Sequence, residues 1–253
     1  MLNRRDFIKS LGAVAAGTSV VGGLAGGAGM GGGKGGHVVV IGGGYGGATV
    51  AKYLRMWSKG NVAVTLVERN PEFISCPISN LVIGGVKTMS DITVSYDGLK
   101  STWGVKVIKD EVVGLDPAKR EVRLAQGGTL SYDRVVLSPG VDFMYDEIGG
   151  LAGNTELIPH AWKAGAQTVL LRKQLESMKD GGVYAIQIPK APYRCPPGPY
   201  ERACLVANYF KTAKPKSKVL ILDANGDIQS KKGLFLRAFN GAYKDIIEYR
   251  PNS

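Results

Sequence analysis

Runs of β-branched and aliphatic residues alternate with a helical periodicity in the first part of the chain. Residues 38–41 form an unbroken apolar run that ends in glycine, residues 48–56 have helical spacing, and residues 62–67 form a second apolar run. The runs predict two strands, and the spacing predicts a helix between them. Strand, glycine turn, helix and strand in this order make a βαβ unit with parallel strands.

Three β-rich runs follow, and turn residues separate them. They cover residues 105–113, 121–124 and 129–137, with an Asp-Pro pair in the first gap and a Gly-Gly pair in the second. Strand patterns joined by such turns predict a β-meander. A Ser-Pro-Gly turn at residues 138–140 then ends the segment.

The βαβ order recurs in the last third of the chain. Helical spacing over residues 167–178 precedes a strand pattern at 182–188, a helix pattern at 200–211 and a strand pattern at 218–223. The fold class predicted is α/β, with two Rossmann-like units in tandem. The predicted divisions are a leader at 1–36, a first unit with the meander at 37–150 and a second unit at 151–253.

The first residues resemble an export signal and are set aside from the fold. Arg4 and Arg5 precede a Phe-Ile-Lys sequence and a weakly hydrophobic run over residues 11–24. A twin-arginine pair before such a run predicts a twin-arginine signal peptide, cleaved between residues 22 and 36. The run is too short and too weakly apolar for a transmembrane helix. We therefore expect a periplasmic protein that is exported already folded, with any cofactor in place.

Composition changes this picture only through charge. The chain of 253 residues has a formal net charge of +11, from 32 lysines and arginines against 21 acidic residues. These basic residues form no long run and no patch interleaved with aromatic residues, which argues against a nucleic acid partner. An acidic protein partner and an anionic substrate both remain open.

The glycine turn after the first strand matches the GxGxxG pattern at Gly42, Gly44 and Gly47. In this pattern the glycines permit a tight turn, close approach of a pyrophosphate and close packing of helix on strand. Glu68 ends the next strand, where a carboxylate accepts hydrogen bonds from ribose hydroxyls and disfavours a 2′-phosphate. The first unit is therefore predicted to bind a dinucleotide other than NADP.

The chain contains three cysteines, Cys76, Cys195 and Cys204, which is an odd number for a compartment where disulfides persist. None stands in a CxxC spacing, and with only two histidines a zinc site is not expected. Cys76 follows the Glu68 strand, and its position alone fits a flavin-proximal thiol and a buried apolar thiol equally well. His160 is interpreted as structural.

Cys195 lies in a proline-rich loop before the second unit's helix, where a NAD-binding unit would have its glycines. Prolines remove N–H donors and block close approach, so the second unit is predicted not to bind NAD. A helix N-terminus and the neighbouring charge of Arg194 both favour the thiolate form of Cys195, which is the form needed for redox or nucleophilic chemistry. Glu201 is a capping-region carboxylate or a proton acceptor, and Cys204 is predicted to be a core residue.

Two resemblances add to these predictions. The meander followed by a turn at Gly140 resembles two-dinucleotide flavoproteins, which favours FAD over NAD, although their turn usually reads Ala-Thr-Gly and this one reads Ser-Pro-Gly. The leader, the glycine turn and the two Cys-Pro segments that begin at Cys76 and Cys195 together resemble the flavoprotein subunits of flavocytochrome c sulfide dehydrogenases.

That resemblance implies oxidation of sulfide, with electrons passing through FAD to a haem-bearing cytochrome c subunit. Cys76 matches the cysteine that this family joins to FAD through an 8α thioether. Cys195 matches one half of its redox-active disulfide, and Glu201 matches a carboxylate near that site. The rival enzyme class is a sulfide:quinone reductase, and a different class is a non-catalytic FAD-binding fragment.

The same family has its second disulfide cysteine and a C-terminal domain well beyond the position matching residue 253. We therefore expect this chain to be truncated at its C-terminus within the second unit.

Overall fold

The computed structural model of the protein describes residues 35–253. The predicted signal peptide lies outside the described residues. The chain forms two compact units, the first from the described residues up to 73 with 95–143, and the second from 74–94 with 144–253. This division is not the contiguous one expected from the sequence, because residues 74–94 contribute the buried Ile83 to the core of the second unit.

Short strands and α-helices follow one another along the described residues. The strands are β1 (His37–Ile41), β2 (Ala63–Glu68), β3 (Glu72–Ile74), β4 (Thr93–Ser95), β5 (Lys106–Lys109), β6 (Val112–Asp116), β7 (Glu121–Leu124), β8 (Thr129–Ser131), β9 (Arg134–Leu137), β10 (Val183–Ile188), β11 (Lys218–Asp223) and β12 (Ile247–Pro251). The α-helices are α1 (Tyr45–Trp57), α2 (Ser79–Ile83), α3 (Asp97–Ser101), α4 (Ala166–Ser177), α5 (Gly198–Ala213) and α6 (Lys232–Asn240).

A four-stranded parallel sheet in the order β5-β2-β1-β9 forms the centre of the first unit. Alternate residues of β1 enter two different cores. Val38 and Val40 pack with Ala51 of α1, whereas Val39 and Ile41 pack with the meander. Because both faces of the sheet are covered, the strand is apolar at every central position, as in other buried parallel strands.

The predicted meander is partly wrong, because its first and third runs each divide between two sheets. β5 and β9 belong to the parallel sheet, and only β6, β7 and β8 form the antiparallel meander. The first run breaks at Asp110, whose buried carboxylate accepts the N–H groups of Glu111 at 2.7 Å and Gln126 at 3.2 Å. Before β9, the carboxylate of Asp133 accepts the N–H of His37 at 2.7 Å.

A three-stranded parallel sheet in the order β10-β11-β12 forms the centre of the second unit. The predicted helix and strand patterns at 167–223 are confirmed as α4, β10, α5 and β11. Helix α5 is the main covering element, since Tyr200, Val206 and Phe210 are fully buried. Helix α2 packs on α4 and α5, and this contact brings the segment after Cys76 to the start of α5.

Candidate functional site

Two glycines of the first unit have no room for a side chain. Gly42 has a φ of +96°, and a Cβ there would lie 2.2 Å from the carbonyl oxygen of Ser138. A Cβ on Gly47 would lie 1.8 Å from the carbonyl oxygen of Gly42. Strand β1, the turn and α1 can therefore approach each other this closely only with glycine at both positions.

Gly44 differs from these two, because a Cβ there would meet nothing within 4 Å. It is the N-cap residue of α1, a helix of 13 residues with no acidic side chain in its first turn and no side-chain cap. The first N–H groups of such a helix and its dipole favour an anion. The open side of Gly44 and this uncapped helix end fit a pyrophosphate.

Glu68 lies at the carboxyl end of β2 and holds the glycine turn. Its carboxylate accepts the N–H of Gly43 at 2.7 Å, and the main-chain and side-chain N–H groups of Asn70 at 2.8 and 2.7 Å. A carboxylate has about four acceptor positions, so one remains for a ribose hydroxyl. Tyr96 donates its hydroxyl to the carbonyl oxygen of Gly43 at 3.0 Å. Burial, and after it the charge of Glu68, raises the pKa of Tyr96.

Gly140 lies in the loop after β9, the strand that pairs with β1 on the side opposite β2. Its φ is +70°, and a Cβ there would meet nothing within 4 Å. The same loop provides the Ser138 carbonyl that packs on Gly42. The glycine turn and this loop thus share the carboxyl edge of the sheet at its switch point, where α/β folds bind nucleotides.

The corresponding position of the second unit is filled by protein side chains. Asp223 ends β11 and is fully buried. It accepts hydroxyl hydrogen bonds from Tyr200 at 2.6 Å and Tyr249 at 3.1 Å, and both N–H groups of Asn225 at 2.9 and 2.8 Å. These four donors match the acceptor capacity of a carboxylate, so a ribose would have to displace one of them.

Cys76 and Cys195, which are far apart in sequence, line one pocket inside the second unit. The pocket has a volume of about 50 Å³, and its wall includes a tryptophan and two arginines. The lining residues are Cys76, Pro77, Asn80, Ala161, Trp162, Arg194, Cys195, Gly198 and Arg202.

Cys76 is half-buried and donates its thiol hydrogen to the carbonyl oxygen of Trp162 at 3.1 Å. The hydroxyl of Ser79 donates to the carbonyl oxygen of Cys76 at 2.7 Å and so begins α2 directly after the Cys-Pro pair. The alternative of a fully buried apolar thiol, left open by the sequence, does not describe this position.

Cys195 is an exposed thiol at the start of α5. Its carbonyl oxygen accepts the N–H of Gly198 at 2.9 Å, and a Cβ on Gly198 would lie 3.3 Å from its sulfur. The φ of Cys195 is +55°, a left-handed conformation that costs a non-glycine residue roughly 1–2 kcal/mol. Its neighbour Arg194 donates to the carbonyl oxygen of Trp162 at 3.3 Å.

Glu201, the other predicted catalytic residue, lies outside the pocket wall, and so do Cys204 and His160, which were predicted to be structural. Glu201 is exposed in the first turn of α5, and its carboxylate accepts the side-chain N–H of Asn80 at 3.0 Å. Cys204 packs against the second unit's core, as predicted, and burial raises its pKa to about 11. His160 stacks on Tyr145, with ring centroids 6.4 Å apart.

Sequence reasoning missed three residues of this site: Asn80, Trp162 and Arg202. Arg202 stands four residues before Val206 on the buried face of α5, and it is only 6% exposed. A lone arginine at a position that helical spacing assigns to the core was the available signal.

Among residues 35–253, no group of three or more His, Cys, Asp or Glu side chains is placed to hold a metal ion. None of the helices in this part of the chain combines the length and the apolar character needed to cross a bilayer.

Family models match almost the whole chain. The model for pyridine nucleotide-disulphide oxidoreductases matches residues 36–174, and the model for the central part of the sulfide dehydrogenase (flavocytochrome c) flavoprotein chain matches residues 168–253. The model for the twin-arginine translocation signal matches residues 1–21. This confirms the signal, which directs export across the cytoplasmic membrane to the periplasm.

Individual relatives agree with these models. The mitochondrial sulfide:quinone oxidoreductase of Mus musculus is 30% identical over 218 residues, which are 85% of this chain and 46% of that protein. The sulfide dehydrogenase (flavocytochrome c) flavoprotein chain of Chlorobaculum thiosulfatiphilum is 56% identical over 46 residues, which are 18% of this chain and 94% of that sequence.

Solved structures confirm the fold. The sulfide:quinone oxidoreductase of Aquifex aeolicus superposes with a TM-score of 0.70 at 23% identity, over 85% of this chain and 51% of that one. The chain thus spans about half the length of the full-length relatives it matches. The chain belongs to the pyridine nucleotide-disulphide oxidoreductase family, with the tandem Rossmann-like fold, and is an FAD flavoprotein related to the family's sulfide-oxidising members.

Proposed function

We propose that this chain is the flavoprotein part of a periplasmic enzyme that oxidises sulfide at Cys195 and passes the electrons through FAD to a cytochrome c subunit. The observation that carries the proposal is the pocket in which Cys76 and Cys195 lie with the buried cation of Arg202. The model match at residues 168–253 includes four of the pocket's nine lining residues, among them Cys195 and Arg202, and supports the cytochrome-linked class.

In this proposal the first unit binds the pyrophosphate and a ribose of FAD. Gly42 and Gly47 shape the turn, the open side of Gly44 receives the pyrophosphate, and Glu68 accepts a ribose hydroxyl. Gly140 leaves space beside the turn. The supporting geometry is the uncapped N-terminus of α1 and the spare acceptor position of Glu68.

Cys76 is proposed to carry the flavin through a thioether at its 8α carbon. Its sulfur is half-buried and its hydrogen bond to the Trp162 carbonyl fixes its direction. Denaturing gel electrophoresis tests this directly, because a covalent flavin remains fluorescent in the protein band. We expect the fluorescence to be lost in Cys76→Ala and kept in Cys204→Ala. Flavin released from the wild type by acid precipitation would contradict the linkage.

The sulfur chemistry begins with hydrosulfide and a disulfide that includes Cys195. Hydrosulfide forms a bond to one sulfur, the disulfide bond breaks, the other sulfur leaves as a thiolate, and the proton stays on the new persulfide. FAD, when bound, supplies a two-electron acceptor that can pass electrons on singly to haem. The resemblance assigns the second cysteine to a position beyond residue 253. Glu201 is proposed to accept the proton released as sulfide becomes zero-valent sulfur.

A quinone is the second candidate acceptor, since the sulfide:quinone oxidoreductase of Mus musculus matches most of this chain. The two acceptors are separated by a rate measurement on the purified enzyme with its natural partner chain. Sulfide-dependent reduction of cytochrome c is expected to exceed reduction of a short-chain quinone. Cys195→Ser should abolish turnover, whereas Cys204→Ser, which alters a thiol outside the pocket, should retain it. The opposite preference would assign the protein to the quinone-linked class.

A further inference from the structure

Arg202 is a buried cation that has no carboxylate partner among the described residues. Its side chain is 6% exposed, and within residues 35–253 no carboxylate oxygen lies within 4.0 Å of its guanidinium. Burying an unpaired charge costs several kcal/mol, so such groups are rare unless they have a ligand. Arginine is suited to such a place because its guanidinium is weakly hydrated and stays charged.

The hydrogen bonds of Arg202 leave part of the guanidinium unused. Its Nε donates to the side-chain oxygen of Asn80 at 3.1 Å, and Nη2 donates to the carbonyl oxygen of Ala161 at 3.2 Å. Its guanidinium carbon lies 5.9 Å from the ring centroid of Trp162. Within the described residues no acceptor is assigned to Nη1, although a guanidinium has five N–H donors. The cation therefore keeps donors for a ligand in the pocket it lines.

Two cysteine thiols, those of Cys76 and Cys195, lie in the same pocket as this cation. Burial lowers the pKa of Arg202, and the negative forms of Tyr184, Cys76, Cys195 and Glu201 oppose that shift in this order. A volume of about 50 Å³ has room for a few molecules of the size of water, and thus for a small anion.

We propose that Arg202 is the anion-binding residue of this pocket, and that it binds hydrosulfide next to Cys195. The identity of the anion rests on the proposed function, whereas the anion site itself does not. The positive charge of Arg202 stabilises the attacking sulfur as an anion, and its unused Nη1 donors hold that sulfur in position. Arg194 also lines the pocket, but it lies on the exposed loop, where solvent screens its charge.

Two alkylating reagents of similar size test the local charge without turnover. Iodoacetate is an anion and iodoacetamide is neutral, and both react with the same thiolate. The ratio of their rates at Cys195 therefore cancels the thiolate fraction and reports the electrostatic potential in the pocket. The rates are measured on the reduced full-length protein by mass spectrometry of the Cys195 peptide.

We expect Arg202→Gln to lower the iodoacetate to iodoacetamide ratio by about fivefold or more, because Cys195 is exposed and about fivefold is the effect of a unit charge about 4 Å away through bulk water. Arg202→Lys keeps the charge and should keep the ratio within about twofold. Arg172→Gln is the matched control. Arg172 bonds the carbonyl oxygen of Ile83 in the same unit at 3.1 Å but does not line the pocket, so the ratio should not change.

A second measurement uses the wild type alone and so does not depend on the folding of a variant. Thiocyanate, a small unreactive sulfur anion, should protect Cys195 from iodoacetamide, and urea at the same concentration should not. An unchanged ratio in folded Arg202→Gln, or equal protection by thiocyanate and urea, would overturn the anion site. A protein that keeps the Arg202-dependent ratio but does not oxidise sulfide retains the anion site and refutes only the proposed function.

Discussion

Because the side of Gly44 is open, we expect a substitution there to weaken FAD binding without disturbing the fold. Gly44 has a φ of −70°, which alanine adopts readily, and a Cβ there would meet nothing within 4 Å. We therefore expect Gly44→Ala to change the free energy of unfolding by no more than about 0.5 kcal/mol. A pyrophosphate on the N-terminus of α1 must approach the same face. The methyl group should then weaken FAD binding about tenfold or more, which is about 1.4 kcal/mol.

Gly47→Ala is the contrasting change at the same turn. Its Cβ would lie 1.8 Å from the Gly42 carbonyl oxygen, so α1 must move away from β1 by more than an ångström. Helix propensity favours alanine by about 1 kcal/mol, but this displacement should make the net effect destabilising. Gly98→Ala, a helical glycine with open space around it, is the control that should be neutral or stabilising.

The assays are urea denaturation of the FAD-free protein and FAD titration by flavin fluorescence, both in a Cys76→Ser background so that binding stays reversible. If Gly44→Ala keeps wild-type FAD affinity, the pyrophosphate does not approach this glycine, and the proposed role of the turn is wrong.

Two further predictions concern the second unit. Tyr200→Phe removes a hydroxyl that donates to the buried Asp223 and accepts the N–H of Gln229. Urea denaturation should therefore show a free energy of unfolding lower by about 1–3 kcal/mol. An unchanged value would mean that this network does not stabilise the unit. Burial raises the pKa of Cys204 to about 11, so its thiolate forms only as the pH rises toward that value. After alkylation at pH 8, peptide mass spectrometry should find Cys204 far less modified than the exposed Cys195. Equal modification would contradict the packing of Cys204 against the core.

Local pattern was sufficient for the elements that make the two βαβ units. The strand at 218–223 has its predicted bounds as β11, and the helix predicted at 200–211 is extended by two residues at each end in α5. The glycine turn was equally readable, since its spacing, its preceding strand and Glu68 are all near one another in the chain. These features depend on interactions within a few tens of residues.

The points where the chain passes from one sheet to another could not be predicted from the hydrophobic pattern. Residues 105–113 form one continuous β-rich run, yet the chain leaves the parallel sheet at Asp110. The bend depends on the N–H groups of Glu111 and Gln126, and the second of these comes from a different turn. Apolar periodicity reports which residues are buried but not which sheet buries them.

The same limit explains why Arg202 was missed while Cys195 was found. Cys195 is marked by its own neighbours, because prolines and Arg194 surround it in sequence. The surroundings of Arg202 come from Asn80 and Ala161, which belong to distant segments. That no carboxylate of residues 35–253 pairs with it therefore becomes visible only in the folded chain.

The pocket exists because the chain passes from the first unit into the second and back. Residues 74–94 bring Cys76 and Asn80 to the start of α5, and Ile83 anchors them in the second unit's core. The remaining wall comes from the 161–162 segment and from α5 with its preceding loop. Cys76 lies in sequence between two segments of the first unit. It nevertheless lines a pocket with Cys195, because nearby residues such as Ile83 pack in the core of the second unit. The packing that stabilises the second unit and the arrangement of the two thiols therefore depend on the same contacts.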